Sequence, residues 1–486
     1  MATSLMIHEF LYDIWPLLFA ASSFVIALSA AIHVLLHKRD SRAMVAWMGL
    51  IWLSPLIGAT AYLMLGINRV KRRASALRQA MPRVQGQYDL APHQVTPLEQ
   101  FIPDTLQPLS RLAGQVSRQP LLAGNRIQPL INGDEAYPAM LQAIQGAQTS
   151  ITLSSYIFNN DVMGRRFVEA LQAAHQRGVA VRILIDGMGL RYSWPSIRGP
   201  LKAAQLPHAI FLPPRMPTTL PFINLRNHRK ILVVDGRYGF TGGMNISLGN
   251  CLALKPTAPI HDLHFQLEGP VVNELQAVFA EDWAFTCKEV LSGPRWFPAP
   301  ETPGSSLARV IADGPDEDYD ALRQLLLGAI TAAQQQIHII TPYFLPDASL
   351  EDALITAALR GVKIKILLPQ HNNIRMVDWA SRGLLSPLLM RGIDIALQPG
   401  HFSHAKSFTV DGQWLLLGST NWDPRSLALN FECAVECYDD WLASQMDDTF
   451  DQHWQQSKLL TLKDLTEQSP LLKLRNATAR LLTPYL

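Results

Sequence analysis

Two uninterrupted apolar runs open the chain. Residues 14–36 hold 23 consecutive positions without Asp, Glu, Lys or Arg, and residues 43–67 hold 25 more. Each is long enough to cross a hydrocarbon core of about 30 Å as a helix. Lys38, Arg39, Asp40 and Arg42 lie between them, and each would cost roughly 2.5–3.5 kcal/mol at a bilayer centre. The pattern therefore predicts a two-helix transmembrane hairpin within residues 1–67, with spans at about 14–36 and 43–67. A cleaved signal peptide is the competing reading, with Ser29-Ala30-Ala31 as its cleavage site. However, no Lys or Arg precedes residue 14, whereas Glu9 and Asp13 do, so the basic leader of a signal peptide is missing.

Residues 68–125 are basic, contain Gln and Pro, and lack sustained periodicity, which reads as a tether. From about 126 the pattern alternates: helix over 139–146, strand over 150–158, helix over 164–177, strand over 179–185. The same order returns at 319–336, 337–344, 350–360 and 362–368. Tyr156-Ile157-Phe158 answers Tyr343-Phe344-Leu345, and Arg177-Gly178-Val179 answers Arg360-Gly361-Val362. Strand–helix–strand repetition argues for α/β layers, and a repeat this long argues for duplication of a whole lobe. Pro298, Pro300, Pro303 and Gly304 mark a linker. The expected fold is α/β: two duplicated α-β-α sandwich lobes, 126–300 and 301–460, behind the hairpin. The tail, 461–486, carries no readable motif.

Composition narrows the function. With 42 basic against 40 acidic side chains the net charge is +2, which argues against a dedicated nucleic-acid binder. Hydrophobic residues at 48% exclude disorder. Four cysteines, none before Cys251, do not make a disulfide scaffold. Cys433 and Cys437 lack a second pair at zinc-site spacing and read as buried thiols. Three basic residues lie in the connecting loop (Lys38, Arg39, Arg42), against five after the second run (Arg69, Lys71, Arg72, Arg73, Arg78). By the positive-inside rule both termini and all of the chain after residue 68 face the cytoplasm.

One constellation carries chemistry. His228-Arg229-Lys230 is followed by Asp235, Gly242-Gly243 and Asn245; His404-Ala405-Lys406 is followed by Asp411, Gly418-Ser419 and Asn421. The matched positions are 176 residues apart throughout. Positions two apart share a strand face, so each His and its Lys point the same way. Asp-Gly pairs make hairpins, and a two-residue turn would set His228 opposite Gly243 or Asn245, and His404 opposite Ser419 or Asn421. Such a cluster fits a phosphoryl group: Lys230 and Lys406 neutralise its oxygens, Asn245 and Asn421 donate hydrogen bonds, and Gly243 and Ser419 permit close approach. One imidazole would attack phosphorus while the other protonates the leaving alcohol. Asp262 and Glu432, 34 and 28 residues after the two histidines, are candidates to orient the rings. A lone His-x-Lys is usually a solvated strand face; the duplicated set reverses that reading. For Asp235 and Asp411 a purely structural role competes, because Asp before Gly is what a hairpin turn favours. His371-Asn372-Asn373, as a cleft mouth, and the Pro-rich stretch 213–217, as a substrate-side loop, are weaker candidates that plain turns explain as well.

The doubled H-x-K-x4-D-x6-G-[GS]-x-N motif resembles the phospholipase D superfamily. Arg226-Asn227-His228-Arg229-Lys230, Gly239 to Asn245 and Gly418 to Ser426 are similar to bacterial cardiolipin synthases, as are Gly269-Pro270, Trp283 and, in the second apolar run, Pro55, Gly58, Tyr62, Gly66 and Asn68. That resemblance implies two lobes sharing one metal-independent active site and a phosphohistidine intermediate. The implied reaction takes phosphatidylglycerol as donor and acceptor and yields cardiolipin and glycerol at the bacterial cytoplasmic membrane. It favours His228 as nucleophile and His404 as acid/base, with His228, Lys230, Asp235, His404, Lys406 and Asp411 as the catalytic set. The rival readings are a hydrolytic phospholipase D, a nuclease and a catalytically dead membrane scaffold.

Overall fold

The computed structural model describes residues 2–38, 41–66, 98–213, 225–314 and 320–483, and the chain divides into two compact units, Met1–Arg73 and Ala74–Leu486. In the first, the helix Ala2–His37 contains the expected span: Ile14–His37 is, among the described residues, the one helix long and apolar enough to cross a membrane. The second apolar run does not form a single helix. It splits into Ser41–Leu53, Pro55–Ala61 and a π-helical turn, Tyr62–Gly66. Pro55 has no N–H to continue the first piece and starts the next as its first residue. A Cβ on Gly58 would lie 2.3 Å from the Leu50 carbonyl oxygen, so the glycine lets the two pieces fold together. Ala27, Ala30, Val34, Ile51, Ala59 and Tyr62 form the interior of this unit, and the Tyr62 hydroxyl bonds His33 Nδ1 at 2.8 Å. Its outer surface is apolar, with Trp15, Leu17, Leu36 and Leu53 exposed. The basic positions 69–78 and the residues 39–40 used for orientation lie outside the described residues.

The second unit is built on one mixed sheet. Its first half contains β1 (Leu122–Ile131), β2 (Ser150–Ser155), β3 (Ala180–Asp186), β4 (His208–Phe211), β5 (Arg226–Asn227), β6 (Ile231–Val234), β7 (Tyr238–Gly242), β8 (Ile260–His261) and β9 (Leu263–Glu268). The second half contains β10 (Ser306–Asp313), β11 (Gln336–Ile340), β12 (Lys363–Pro369), β13 (Asp394–Gln398), β14 (Phe402–Ser403), β15 (Ser407–Val410), β16 (Trp414–Gly418) and β17 (Asn430–Tyr438). Outward from the centre, the order is β1-β9-β7-β6-β2-β3-β4 on one side and β10-β17-β16-β15-β11-β12-β13 on the other. The same lobe is built twice and joined where β1 and β10 pair antiparallel.

Inner strands such as β2, β6, β16 and β17 are buried along their whole length because helices cover both faces. In the first lobe, Asn132–Gly146 and Val162–Gln176 pack on the side of Phe240. The neighbouring Gly239 turns to the other side, against Val272 and Leu275 of Val271–Cys287. Part of the expected tether belongs to this body: Gln107–Ser117 places Leu109 in the core of the second lobe, beside Leu322 and Leu326 of Ala321–Ala332. The tail, too, is folded, as Leu462–Thr466 and Pro470–Leu481.

A buried charge stitches the halves together. Arg229 is fully buried; its Nη1 donates to Asp282 of the first lobe at 2.7 Å, while Nε and Nη2 donate to the Glu432 and Asp313 carbonyls of the second at 2.9 and 3.0 Å. The repeat has Ala405 at the matching position, so this anchor is one-sided. Removing one partner of a buried pair leaves an uncompensated charge. Arg229→Ala should therefore cost about 3–5 kcal/mol, read as a lowered thermal-unfolding midpoint of the detergent-solubilised protein, with Arg229→Met/Asp282→Leu recovering much of the loss.

Candidate active site

The two Asp-Gly pairs do turn hairpins, with one residue more than expected. Val234 pairs with Tyr238 and Val410 with Trp414, so the loops are 235–237 and 411–413. Asp235 and Asp411 both adopt left-handed backbone, at φ +54° and +53°, followed by glycines at +61° and +66°, a conformation Asp tolerates better than most residues. The extra residue shifts the register, and the expected pairing of His228 with Gly243 or Asn245, and of His404 with Ser419 or Asn421, does not form. Instead, each histidine segment leaves its own hairpin and pairs with the other lobe. β5 runs beside β17, and His228 N donates to the Phe431 carbonyl at 2.9 Å. β14 runs beside β8, and His404 N donates to the His261 carbonyl at 2.7 Å.

The orienting carboxylates follow the same exchange. Glu432 lies 3.0 Å from His228 Nδ1, and Asp262 lies 2.8 Å from His404 Nδ1. Both expected acids are present, each serving the histidine of the opposite lobe. With Nδ1 engaged, Nε2 of each ring is left for chemistry. The two rings lie 6.4 Å apart between centroids, with 80° between their planes. Lys230 Nζ donates to the His228 carbonyl and Lys406 Nζ to the His404 carbonyl, both at 2.6 Å; Lys406 Nζ also lies 3.2 Å from His404 Nε2.

Four expected residues take different places. Asp235 and Asp411 sit at the far end of β6 and β15 from the histidines. Asp235 accepts from the backbone N–H groups of Gln148, Thr149 and Ser150, and Asp411 from those of Gln334, Gln335 and Gln336. They pin the loops entering β2 and β11, away from the two histidines, as the structural reading of an Asp-Gly turn has it. Gly243 and Ser419 spend their N–H groups on the Leu263 and Cys433 carbonyls. A Cβ at Gly243 would come 2.2 Å from Asp262 Oδ1 and 3.1 Å from the His404 carbonyl oxygen; glycine is needed there for the carboxylate. The Ser419 hydroxyl instead donates to Glu432.

Asn245 and Asn421 stay beside the site. Asn245 Oδ1 accepts from Ile157 N at 3.1 Å, leaving its amide N–H groups as donors; Asn421 Nδ2 donates to Ser426 Oγ at 3.1 Å. Two residues that stand out in the sequence as repeat parallels flank the rings: Tyr156 lies 5.1 Å edge-on from His228, and Tyr343 lies 6.1 Å from His404. The repeat was a signal that would have found them. Among the weaker candidates, Asn373 accepts from the Tyr343 hydroxyl at 2.8 Å, whereas most of the Pro-rich stretch lies outside the described residues. Cys433 and Cys437 are buried free thiols.

Burial controls the electrostatics. It lowers both histidines, His404 to about 4, with the neighbouring Lys406 adding to the effect and Asp262 opposing it. Burial likewise brings Lys230 down to about 7 and Lys406 to about 8. For Glu432, burial pushes upward but His228 and Lys230 together win, and the carboxylate stays below its usual range. Burial thus keeps the centre poor in protons, and an entering phosphodiester anion favours the charged form of every base around it.

Comparison with known proteins places this geometry. Residues 140–283 and 326–454 match the family described as cardiolipin synthase, PLD-like domain, and residues 25–66 match the phospholipase D-nuclease N-terminal family. A cardiolipin synthase of Geobacillus kaustophilus is 30% identical, over 94% of this chain and 91% of that one. A cardiolipin synthase A of Pseudomonas aeruginosa is 31% identical, over 95% of this chain and 94% of its own. The fold is shared with a phosphatidylserine synthase of Haemophilus influenzae, at a TM-score of 0.60, 18% identity and coverage of 78% of this chain and all of that one. Fold and site together define a phospholipase D-type phosphatidyltransferase built from a duplicated lobe. Within that class, the chain belongs to the cardiolipin synthase family.

Two outcomes follow from the site. Gly243→Ala should displace Asp262 and His404 and lower phosphatidyl transfer by about 100-fold or more, on the scale of a lost general acid, with little change in vesicle association. Binding of a non-reactive phosphonate analogue of phosphatidylglycerol near pH 7.5 should take up protons, because the anion raises groups that burial holds low. Calorimetry in buffers of different ionisation enthalpy reads the sign, and net proton release would contradict it.

Proposed function

We propose that this protein is a cardiolipin synthase of the bacterial cytoplasmic membrane, condensing two phosphatidylglycerol molecules into cardiolipin and glycerol. The observation that carries the reading is the facing pair of imidazoles, each held through Nδ1 by a buried carboxylate of the other lobe. His228 Nε2 attacks the phosphorus of the first lipid. The bond to its terminal glycerol breaks, and His404 gives that oxygen a proton, leaving a phosphatidyl-histidine. Glycerol departs. The glycerol hydroxyl of a second phosphatidylglycerol then loses its proton to His404 and attacks phosphorus, breaking the P–N bond and restoring His228. Lys230, Lys406, Asn245 and Asn421 hold the phosphate oxygens. The choice of His228 over His404 as nucleophile rests on family resemblance, since the two rings have matching surroundings.

The anchor fits lipid substrates. Ile14–His37 spans the bilayer, and the broken 41–66 segment returns beside it as the second arm of a hairpin; the excess of basic residues after residue 68 puts the lobes on the cytoplasmic side. Water as the second nucleophile would make the same centre a phospholipase D. Incubation of the purified protein with phosphatidylglycerol vesicles separates the two: cardiolipin and glycerol in equal amounts are expected, and phosphatidic acid without cardiolipin would overturn the reading. His228→Ala and His404→Ala should each lower turnover by at least about 1,000-fold, as removal of a nucleophile or of a general acid does, without changing the circular dichroism spectrum.

A further inference from the structure

The proposed reaction leaves the carboxy-terminal helix, Pro470–Leu481, without a role. One face is spent on the body: Asn476 and Ala479 are buried, and the Arg475 guanidinium lies 4.6 Å over the Trp379 ring. The opposite face is a leucine stripe. Leu471, Leu474 and Leu481 are 79%, 65% and 77% exposed, with Thr478 completing the i, i+3, i+7, i+10 spacing. The helix carries Lys473, Arg475 and Arg480 and no acidic residue, in a chain whose net charge is only +2. Beside it, Lys473 and Arg480 join Arg382, Ser386, Thr466 and Gln468 around a cavity of about 270 Å³.

Position ties this face to the cleft. Ala479 closes a small apolar cluster with Leu345, Val377, Ala380 and Leu384, and Tyr343, next to His404, packs against the same cluster. Leu345 and Arg375–Arg382 follow β11 and β12 in the chain, so the helix stands at the carboxyl ends of the parallel strands, where open α/β sheets place their ligands. The first lobe matches it. In the segment after β3, Tyr192 lies 6.0 Å from Tyr156, the neighbour of His228, and Trp194 is 95% exposed. Apolar side chains with a cationic border suit an acyl–headgroup boundary, and exposed indoles favour the same zone.

We propose that Pro470–Leu481, together with Tyr192 and Trp194, is a docking surface for an anionic phospholipid bilayer, holding the mouth of the cleft against the lipid. The leucines enter the interface while Lys473 and Arg480 meet lipid phosphates. This rests on the reading of the protein as acting on membrane lipids, but its test does not use activity.

The full-length chain with exposed Cys287 changed to Ser is given a single bimane label at Leu474→Cys, Trp194→Cys or, as a control, Leu359→Cys. Leu359 is also exposed, but it ends a helix that feeds the opposite edge of β12. In nanodiscs of phosphatidylglycerol and phosphatidylethanolamine, brominated acyl chains should quench positions 474 and 194 at least about twofold more than position 359. Lys473→Glu/Arg480→Glu should abolish the difference at position 474. Equal quenching at all three sites, or none at 474, overturns the proposal. Cross-linking of 474 to 474 between two copies, with no quenching, would assign the stripe to self-association instead. Quenching as expected without cardiolipin formation would leave the docking surface standing and remove the proposed reaction.

Discussion

Neither lobe orients its own histidine. Each imidazole takes its Nδ1 partner, and the backbone bond at its own N–H, from the opposite half of the chain. Everything else about the centre follows from that exchange. Glu432 and Asp262 must be buried to serve as fixed partners, and lysines accompany them; burial, with the lysines adding to it, disfavours the charged form of the rings until an anion arrives. The exchange also requires the lobes to be rigidly registered. The antiparallel join of β1 to β10 and the Arg229 anchor provide that registration.

What was legible in the sequence was local. The Asp-Gly turns and the duplicated strand–helix–strand order are short-range patterns, and they appear where the periodicity put them. The His-x-Lys triplets lie not on a strand but in the links between β5 and β6 and between β14 and β15. Even Asp262 and Glu432 stand out in the sequence, by following the two hairpins at similar distances. Their partners do not, because pairing across the lobes is a contact between residues 142 and 204 positions apart, and no spacing rule reaches that far. The turn length was misjudged for a finer reason. Asp-Gly suits both two- and three-residue hairpins, and the loops entering β2 and β11 select the longer form by donating three backbone N–H groups to each aspartate.

The amino-terminal segment teaches a related lesson. Counting uncharged positions treats residues 43–67 as one span, although Pro55 stands in the middle without an N–H to give. Apolar character survives the break and continuity does not. In the carboxy-terminal tail the failure ran the other way: Lys473, Arg475 and Arg480 interrupt the leucines in linear order, and only on the folded helix do the apolar positions gather into a stripe.

The contacts between the lobes are reciprocal. The strand before the first histidine lies on the strand leading to the second lobe's carboxylate, and the strand before the second histidine lies on its counterpart in the first. That is the arrangement of an interface that meets itself across a twofold axis. A chain of one lobe would therefore complete this centre only by pairing with a copy of itself, and fusing two copies frees the halves to diverge. Arg229 opposite Ala405, and glycine opposite serine beneath the carboxylates, are the marks of that freedom: in a fused chain the two histidines need not be interchangeable.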